Sequence, residues 1–217
     1  MENYSILKLS LSKNKAKIIN IFLTNFTLLF LQTFGAVLSI KAFSYSAFLY
    51  YTNLSNYFSL IVCIIVCFAS IKSLKKDSEL KPFYYSIRFI ANVCLMITFF
   101  VCFCLLIPLK PDILAYMVNK DANLLYHIIC PIFSIISFII IEEYNHSKRL
   151  IFIATIPTMI YGIIISILNL LGVIVGPYPF FAFSIYPLSF CIPLVFGIYF
   201  LSLLISYILY LIKRKKV

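Results

Sequence analysis

The chain has 217 residues, 63% of them hydrophobic and only 12% charged, with a formal net charge of +11. Its mean hydropathy is +1.05, and a water-soluble domain of this length cannot bury that much apolar surface, so hydrocarbon must solvate much of it. The positive charge does not mark a nucleic-acid binder: the lysines and arginines fall between apolar runs and at the ends, and build no basic face interleaved with aromatics.

A helix crosses hydrocarbon in about 20 residues, because it must satisfy its own backbone hydrogen bonds. The uncharged runs predict an all-α, polytopic integral membrane protein of one domain over 1–217, with about six transmembrane helices. The predicted spans are about 18–40, 50–71, 83–109, 124–141, 150–175 and 185–212. The first run is long enough to span and no small-residue cleavage site follows it, so no signal peptide is expected. Arg88, early in the third span, is expected to snorkel to the interface. Glu142 and Glu143 end the fourth span and are expected at that same interface, with His146 beyond them as a solvated loop residue. Gly162 and Ser166 make a small-xxx-small pattern that predicts a close helix contact. Pro131, Pro157, Pro187 and Pro193 predict local kinks or breaks. Seven cysteines, Cys63, Cys67, Cys94, Cys102, Cys104, Cys130 and Cys191, lie inside apolar runs without metal-ligand spacing. They read as small packing or lipid-facing residues, and neither a metal nor a cofactor is expected.

Lys and Arg positions set the orientation. Lys8, Lys13, Lys15, Lys17, Lys72, Lys75, Lys76, Lys81, Arg88, Lys148, Arg149 and the 213–216 run lie on one side, and Lys41, Lys110 and Lys120 on the other, 15 against 3. Both termini are therefore predicted to be cytoplasmic, and the loops near 41–49, 110–123 and 176–184 to face outward. Richness in Ile, Phe, Tyr, Lys and Asn points to an AT-rich bacterial genome, and so to a multi-pass protein of the plasma membrane.

Polar residues inside a span are costly and face protein or water. Thr52, Ser55, Asn56 and Ser59 fall at i, i+3, i+4 and i+7 on one face of the second span. His127 and Asn169 lie at a similar depth on the fourth and fifth, and the aromatic loop Gly176-Pro177-Tyr178-Pro179-Phe180-Phe181 sits above that layer. Three helices thus put a hydroxyl, an imidazole and an amide in one layer. A lone intramembrane histidine is most often a satisfied helix-to-helix hydrogen bond; a catalytic site and a ligand- or ion-binding site are the two other readings. Thr52 and His127 are predicted to face each other inside the bundle, with Asn53, Ser55, Asn56, Tyr126, Asn169 and Tyr178 as pocket candidates around them.

The same residues carry a resemblance. Tyr50-Tyr51-Thr52-Asn53-Leu54-Ser55-Asn56 resembles the aromatic-Thr-x-x-Ser-Asn motif of a six-span family. Leu125-Tyr126-His127-Ile128-Ile129-Cys130-Pro131 resembles its histidine shortly before proline, and Tyr161-Gly162 followed by Gly176-Pro177-Tyr178-Pro179-Phe180 resembles its later segment. The family comprises the androgen-induced and androgen-dependent TFPI-regulating membrane proteins and a bacterial branch of unknown function, and the resemblance covers roughly residues 18 to 200. It implies that Thr52 and His127, at the matching positions, are the catalytic nucleophile and its histidine, and that fatty acid esters of hydroxy fatty acids are cleaved. Such acyl transfer needs a base, because threonine is a weak nucleophile until its proton is taken, and imidazole, with an unperturbed pKa of about 6.5, suits that task; the pocket amides and hydroxyls are then the oxyanion candidates. The chain departs from its relatives in having no tryptophan. The expected function is a membrane-embedded lipid ester hydrolase whose partner is a membrane lipid or fatty-acyl ester, with no nucleic acid involved. Two other classes stay open: a non-enzymatic lipid- or partner-binding membrane protein, and a small transporter.

Overall fold

A computed structural model describes residues 2–112, 114–116 and 122–214, with side chains from residue 13 onward. Of the charges counted above, Lys120, Lys215 and Lys216 and the side chain of Lys8 lie outside the described residues. Those residues are almost entirely helical and contain no strand. The helices are α1 (Glu2–Phe43), α2 (Tyr51–Lys76), α3 (Pro82–Leu109), α4 (Leu125–Ile141), α5 (Leu150–Leu170) and α6 (Leu188–Arg214). Five of them, all but α4, are long and apolar enough to cross a membrane. α4 occupies the predicted fourth span but has only 17 residues, about 25 Å against a hydrocarbon core of about 30 Å.

Local signals explain the boundaries. α2 stops at Asp77, which takes a left-handed conformation and returns its N–H to the Ser73 carbonyl. α3 opens on Pro82, whose missing N–H costs nothing in a first turn. α5 breaks at Ala154 and Thr155, just before Pro157, and resumes at Ile156. Pro187 precedes α6, whereas Pro193 lies inside it without ending it. Two helices carry π turns, Cys102–Leu106 in α3 and Leu125–Ile129 at the start of α4.

α3 is the central helix: Phe89, Ala91, Asn92, Val93, Cys94 and Leu95 are all buried. It packs against α2, α4 and α6, while α1 pairs with α2 and α4, and α5 leans on α6. The predicted close contact at Gly162 is present, since a Cβ there would overlap the Tyr199 hydroxyl of α6. The polarity of the bundle is inside out. On α1, Asn25, Gln32 and Ser39 are fully buried at intervals of seven residues, while Phe30 is 70% exposed. Water would reward the opposite arrangement; hydrocarbon rewards this one, so the fold is compatible with a multi-pass membrane protein.

The end of the bundle near Lys213 corrects three sequence expectations. Arg88 does not snorkel: it is 1% exposed, and its Nε donates to Glu142 Oε1 at 2.9 Å. Its Nη1 donates to Ser134 Oγ at 3.2 Å, and Ser134 in turn donates to Asn92 Oδ1. Glu142 is not an interfacial carboxylate but the buried partner of this arginine. Lys213 folds inward and donates to the carbonyls of Phe138, Ile139 and Glu142. These carbonyls lie at the C-terminal end of α4, where Phe138 O also accepts the Glu142 N–H, so the ammonium caps the helix and meets the negative end of its dipole. His146 is not solvated either: its ring packs on Phe89, Phe138 and Tyr144 at centroid distances of 4.9, 5.8 and 5.1 Å. Burial, and then the nearby Lys213 charge, lower its pKa from 6.5 to about 4. Snorkelling fails because a carboxylate, a hydroxyl and helix-end carbonyls are all within reach, and together they replace water around the charges.

Candidate functional site

At the other end of the bundle the chain leaves α1 through a 3₁₀ turn, Ser44–Leu49, and extends at Tyr50 before entering α2. Thr52 is therefore the second residue of a 26-residue helix, at its positive end. Its backbone N–H and its Oγ1 both lie 3.4 Å from the Tyr178 hydroxyl. Tyr178 is itself held in place, stacked on Phe180 at 5.2 Å and edge-on to Tyr50 at 5.9 Å. Burial pushes its phenol up to about 12, so the hydroxyl stays protonated and can donate.

His127 sits in the middle of the α4 π turn. The extra residue in a π turn rotates the side chains around it, and such turns recur at functional sites. The imidazole is 4% exposed, its Nδ1 has no hydrogen-bond partner, and it interacts with the backbone carbonyl of Thr98 on α3.

Thr52, His127 and Tyr178 border two adjoining spaces. The inner one, of about 30 Å³, is completed by Thr98, Cys102, Tyr161 and Tyr199 among others, and has room for a water-sized molecule. The second, of about 270 Å³, lies toward the chain connections and adds Tyr50, Asn53, Lys110, Asn123 and Pro179. Candidates from α2, α4 and the 171–187 loop thus line common walls.

The other sequence candidates have different placements. Asn53 borders the second space, but its Nδ2 donates to the Ala47 carbonyl at 2.9 Å and pins the 3₁₀ turn. Ser55 pairs with Thr98 Oγ1 at 2.8 Å, which joins α2 to α3 beneath Thr52. Asn56 Nδ2 donates to the carbonyls of Thr52 and Tyr126, at 2.8 and 3.3 Å. Asn169 lines neither space; it braces the loop, donating to Ile174 O at 3.0 Å and accepting from Phe183 N–H at 3.1 Å. All three carboxamide donors are thus engaged by backbone carbonyls. The donor that faces the space is the Tyr178 hydroxyl, whose oxygen accepts the first-turn N–H of Thr52. Tyr126 points away from the site, toward α1, where its hydroxyl donates to the Gln32 carbonyl at 3.1 Å. Gly35 makes room for that ring, since a Cβ there would overlap it.

Sequence reasoning missed Thr98, Tyr161 and Tyr199 as walls of the site, and the two π turns that turn Cys102, Leu106 and His127 toward it. Thr98 carried a signal as a polar residue within an apolar run, and Tyr161 only through the Tyr161-Gly162 stretch. No family model, no curated protein and no solved structure matches the chain.

Proposed function

We propose that the chain is a six-span protein of a bacterial plasma membrane, with both ends in the cytoplasm. In this reading it hydrolyses lipid esters through Thr52 and His127 in the outer leaflet. The observation that carries the reading is the shared lining: a threonine at a helix N-terminus, a buried imidazole with an unpartnered Nδ1 and a protonated tyrosine border the same space. The membrane assignment rests on five long apolar helices and on the inside-out polarity, and the orientation on the Lys/Arg asymmetry.

In this mechanism Thr52 Oγ1 attacks the acyl carbonyl carbon while its proton passes to His127 Nδ1. No carboxylate stands in the described lining to orient the imidazole, and the group beside the ring is the Thr98 backbone carbonyl. The oxyanion meets the Tyr178 hydroxyl, which the Thr52 N–H holds from the α2 N-terminus, with the α2 dipole behind it. Collapse of the tetrahedral intermediate breaks the ester C–O bond, and the leaving alkoxide takes the proton from His127. Water then gives a proton to the freed imidazole and attacks the acyl-threonine, releasing a carboxylic acid and restoring Thr52.

The experiment is turnover of a panel of lipid-like esters by purified protein. Wild type is expected to be active, Thr52→Ala inactive, and Thr52→Ser partly active because it keeps the attacking oxygen. A folded wild type that cleaves no ester would leave the non-enzymatic lipid-binding reading ahead.

A further inference from the structure

The backbones of α2 and α5 approach each other little and meet mainly through the Tyr51 side chain. Between them runs a groove of about 440 Å³, bordered by Leu54 and Phe58 on one side and by Ile156, Ile160, Ile164 and Leu168 on the other. Ile156 and Leu168 are twelve residues apart, so the groove follows α5 for about 18 Å. Its wall is apolar except for the Tyr51 and Tyr161 hydroxyls and Ser55, and all three are already paired: Tyr51 with Thr158 at 2.8 Å, Tyr161 with the Leu49 carbonyl at 2.8 Å, and Ser55 with Thr98. Ile156, Ile160 and Ile164 are also about half exposed on the bundle surface, so the groove opens sideways and not only at the chain connections.

Tyr51 and Tyr161 border both this groove and the inner space beside Thr52 and His127. Their rings meet edge to face at 5.1 Å and form the partition between the two. We propose that the α2–α5 groove holds one long unbranched hydrocarbon chain of the substrate, and that the Tyr51–Tyr161 pair is the threshold its reacting end crosses to reach Thr52. This rests on the ester-hydrolase reading and adds a route and a shape requirement: a long-chain acyl group entering laterally, with its polar remainder in the second space beside Lys110. A wall shared with the site, about 18 Å of apolar length and lateral opening favour a lipid chain.

Photolabelling reads occupancy without needing turnover. A long-chain fatty acid carrying a mid-chain diazirine is crosslinked to the detergent-solubilised full chain, with and without excess unlabelled fatty acid. Competable adducts are expected on the peptides bearing Phe58 and Ile160, against non-competable background on the lipid-facing side of α1 around Phe30. Ile160→Trp fills the groove from an exposed position that tolerates bulk. It should remove the competable adduct and raise KM for a long-chain ester by roughly tenfold, while turnover of an acetyl ester stays within about twofold. Competable labelling without turnover of any ester would support the groove and sink the hydrolase reading. Groove labelling no more competable than that on α1 would overturn the proposal, even in an active enzyme. Equal effects of Ile160→Trp on long and short esters would overturn it too.

Discussion

Thr52 and His127 make different demands on the residues around them, and their variants should separate accordingly. In the proposed mechanism, losing the histidine removes proton transfer but leaves the nucleophile, so His127→Ala should depress turnover by about 10²–10⁴-fold. Tyr178→Phe removes one oxyanion donor while leaving the ring stack with Phe180 intact; it should lower kcat by roughly 10²-fold with little change in KM. Steady-state kinetics on one ester reads both variants, and a Tyr178→Phe enzyme with full kcat would remove that hydroxyl from the mechanism. At the far end, His146 makes a different kind of statement. Its pKa is depressed to about 4 in the folded protein, so above pH 6.5 the ring is neutral whether folded or not. Below that the unfolded chain takes up the proton first, and stability should fall as pH drops from about 6.5 to 4, by roughly 3 kcal/mol in total. His146→Phe should flatten that part of the pH–stability curve in detergent; an unchanged slope would show that the ring titrates alike in both states.

At the scale of elements, the helices were largely legible because charge-bounded apolar runs and helix length are set by the same hydrocarbon thickness. The polar stripe Thr52, Ser55, Asn56 and Ser59 was legible for a similar reason: a period near 3.6 in hydroxyls and amides can only face protein. What the sequence hid is non-periodic. A π turn leaves no compositional mark, so the rotation of His127 and Cys102 could not be read. The fourth span was read at about 124–141 and α4 covers Leu125–Ile141, but hydropathy did not show that the carboxylate following it is buried. Arg88, Glu142 and His146 were misread because each was judged against water and lipid alone, while their partners come from α3, α4, α6 and the 142–149 segment. Removing one member of such a pair strands the other in a low-dielectric interior. Glu142→Gln should therefore destabilise the bundle by about 3–5 kcal/mol, measured as thermal or denaturant midpoint in detergent. Arg88→Met together with Glu142→Leu should recover most of that loss; a double variant no more stable than the single would mean that the pair does more than neutralise charge. Gly35→Ala tests α1 against α4: it should shift Tyr126, and through the neighbouring His127 lower turnover more than it lowers stability.

For the whole molecule, the buried charge latch and the candidate site occupy opposite ends, an arrangement that matches one basic side and one functional side. Cysteine accessibility in intact cells tests the orientation, with the native cysteines first replaced. Cysteines placed at Tyr45 and Val175, both well exposed, should react with an impermeant maleimide from outside. Those at Lys76 and Lys148 should react only after lysis. The reverse pattern would put Thr52 in the cytoplasmic leaflet. The central claim, that Thr52 is a nucleophile activated by His127, has a more direct test. Wild-type protein is treated with a fluorophosphonate, digested and mapped by mass spectrometry. The account predicts one phosphonyl adduct on the Thr52 oxygen, absent in Thr52→Ala and strongly reduced in His127→Ala. A wild type that stays unmodified, or an adduct on another residue that persists in Thr52→Ala, would contradict it.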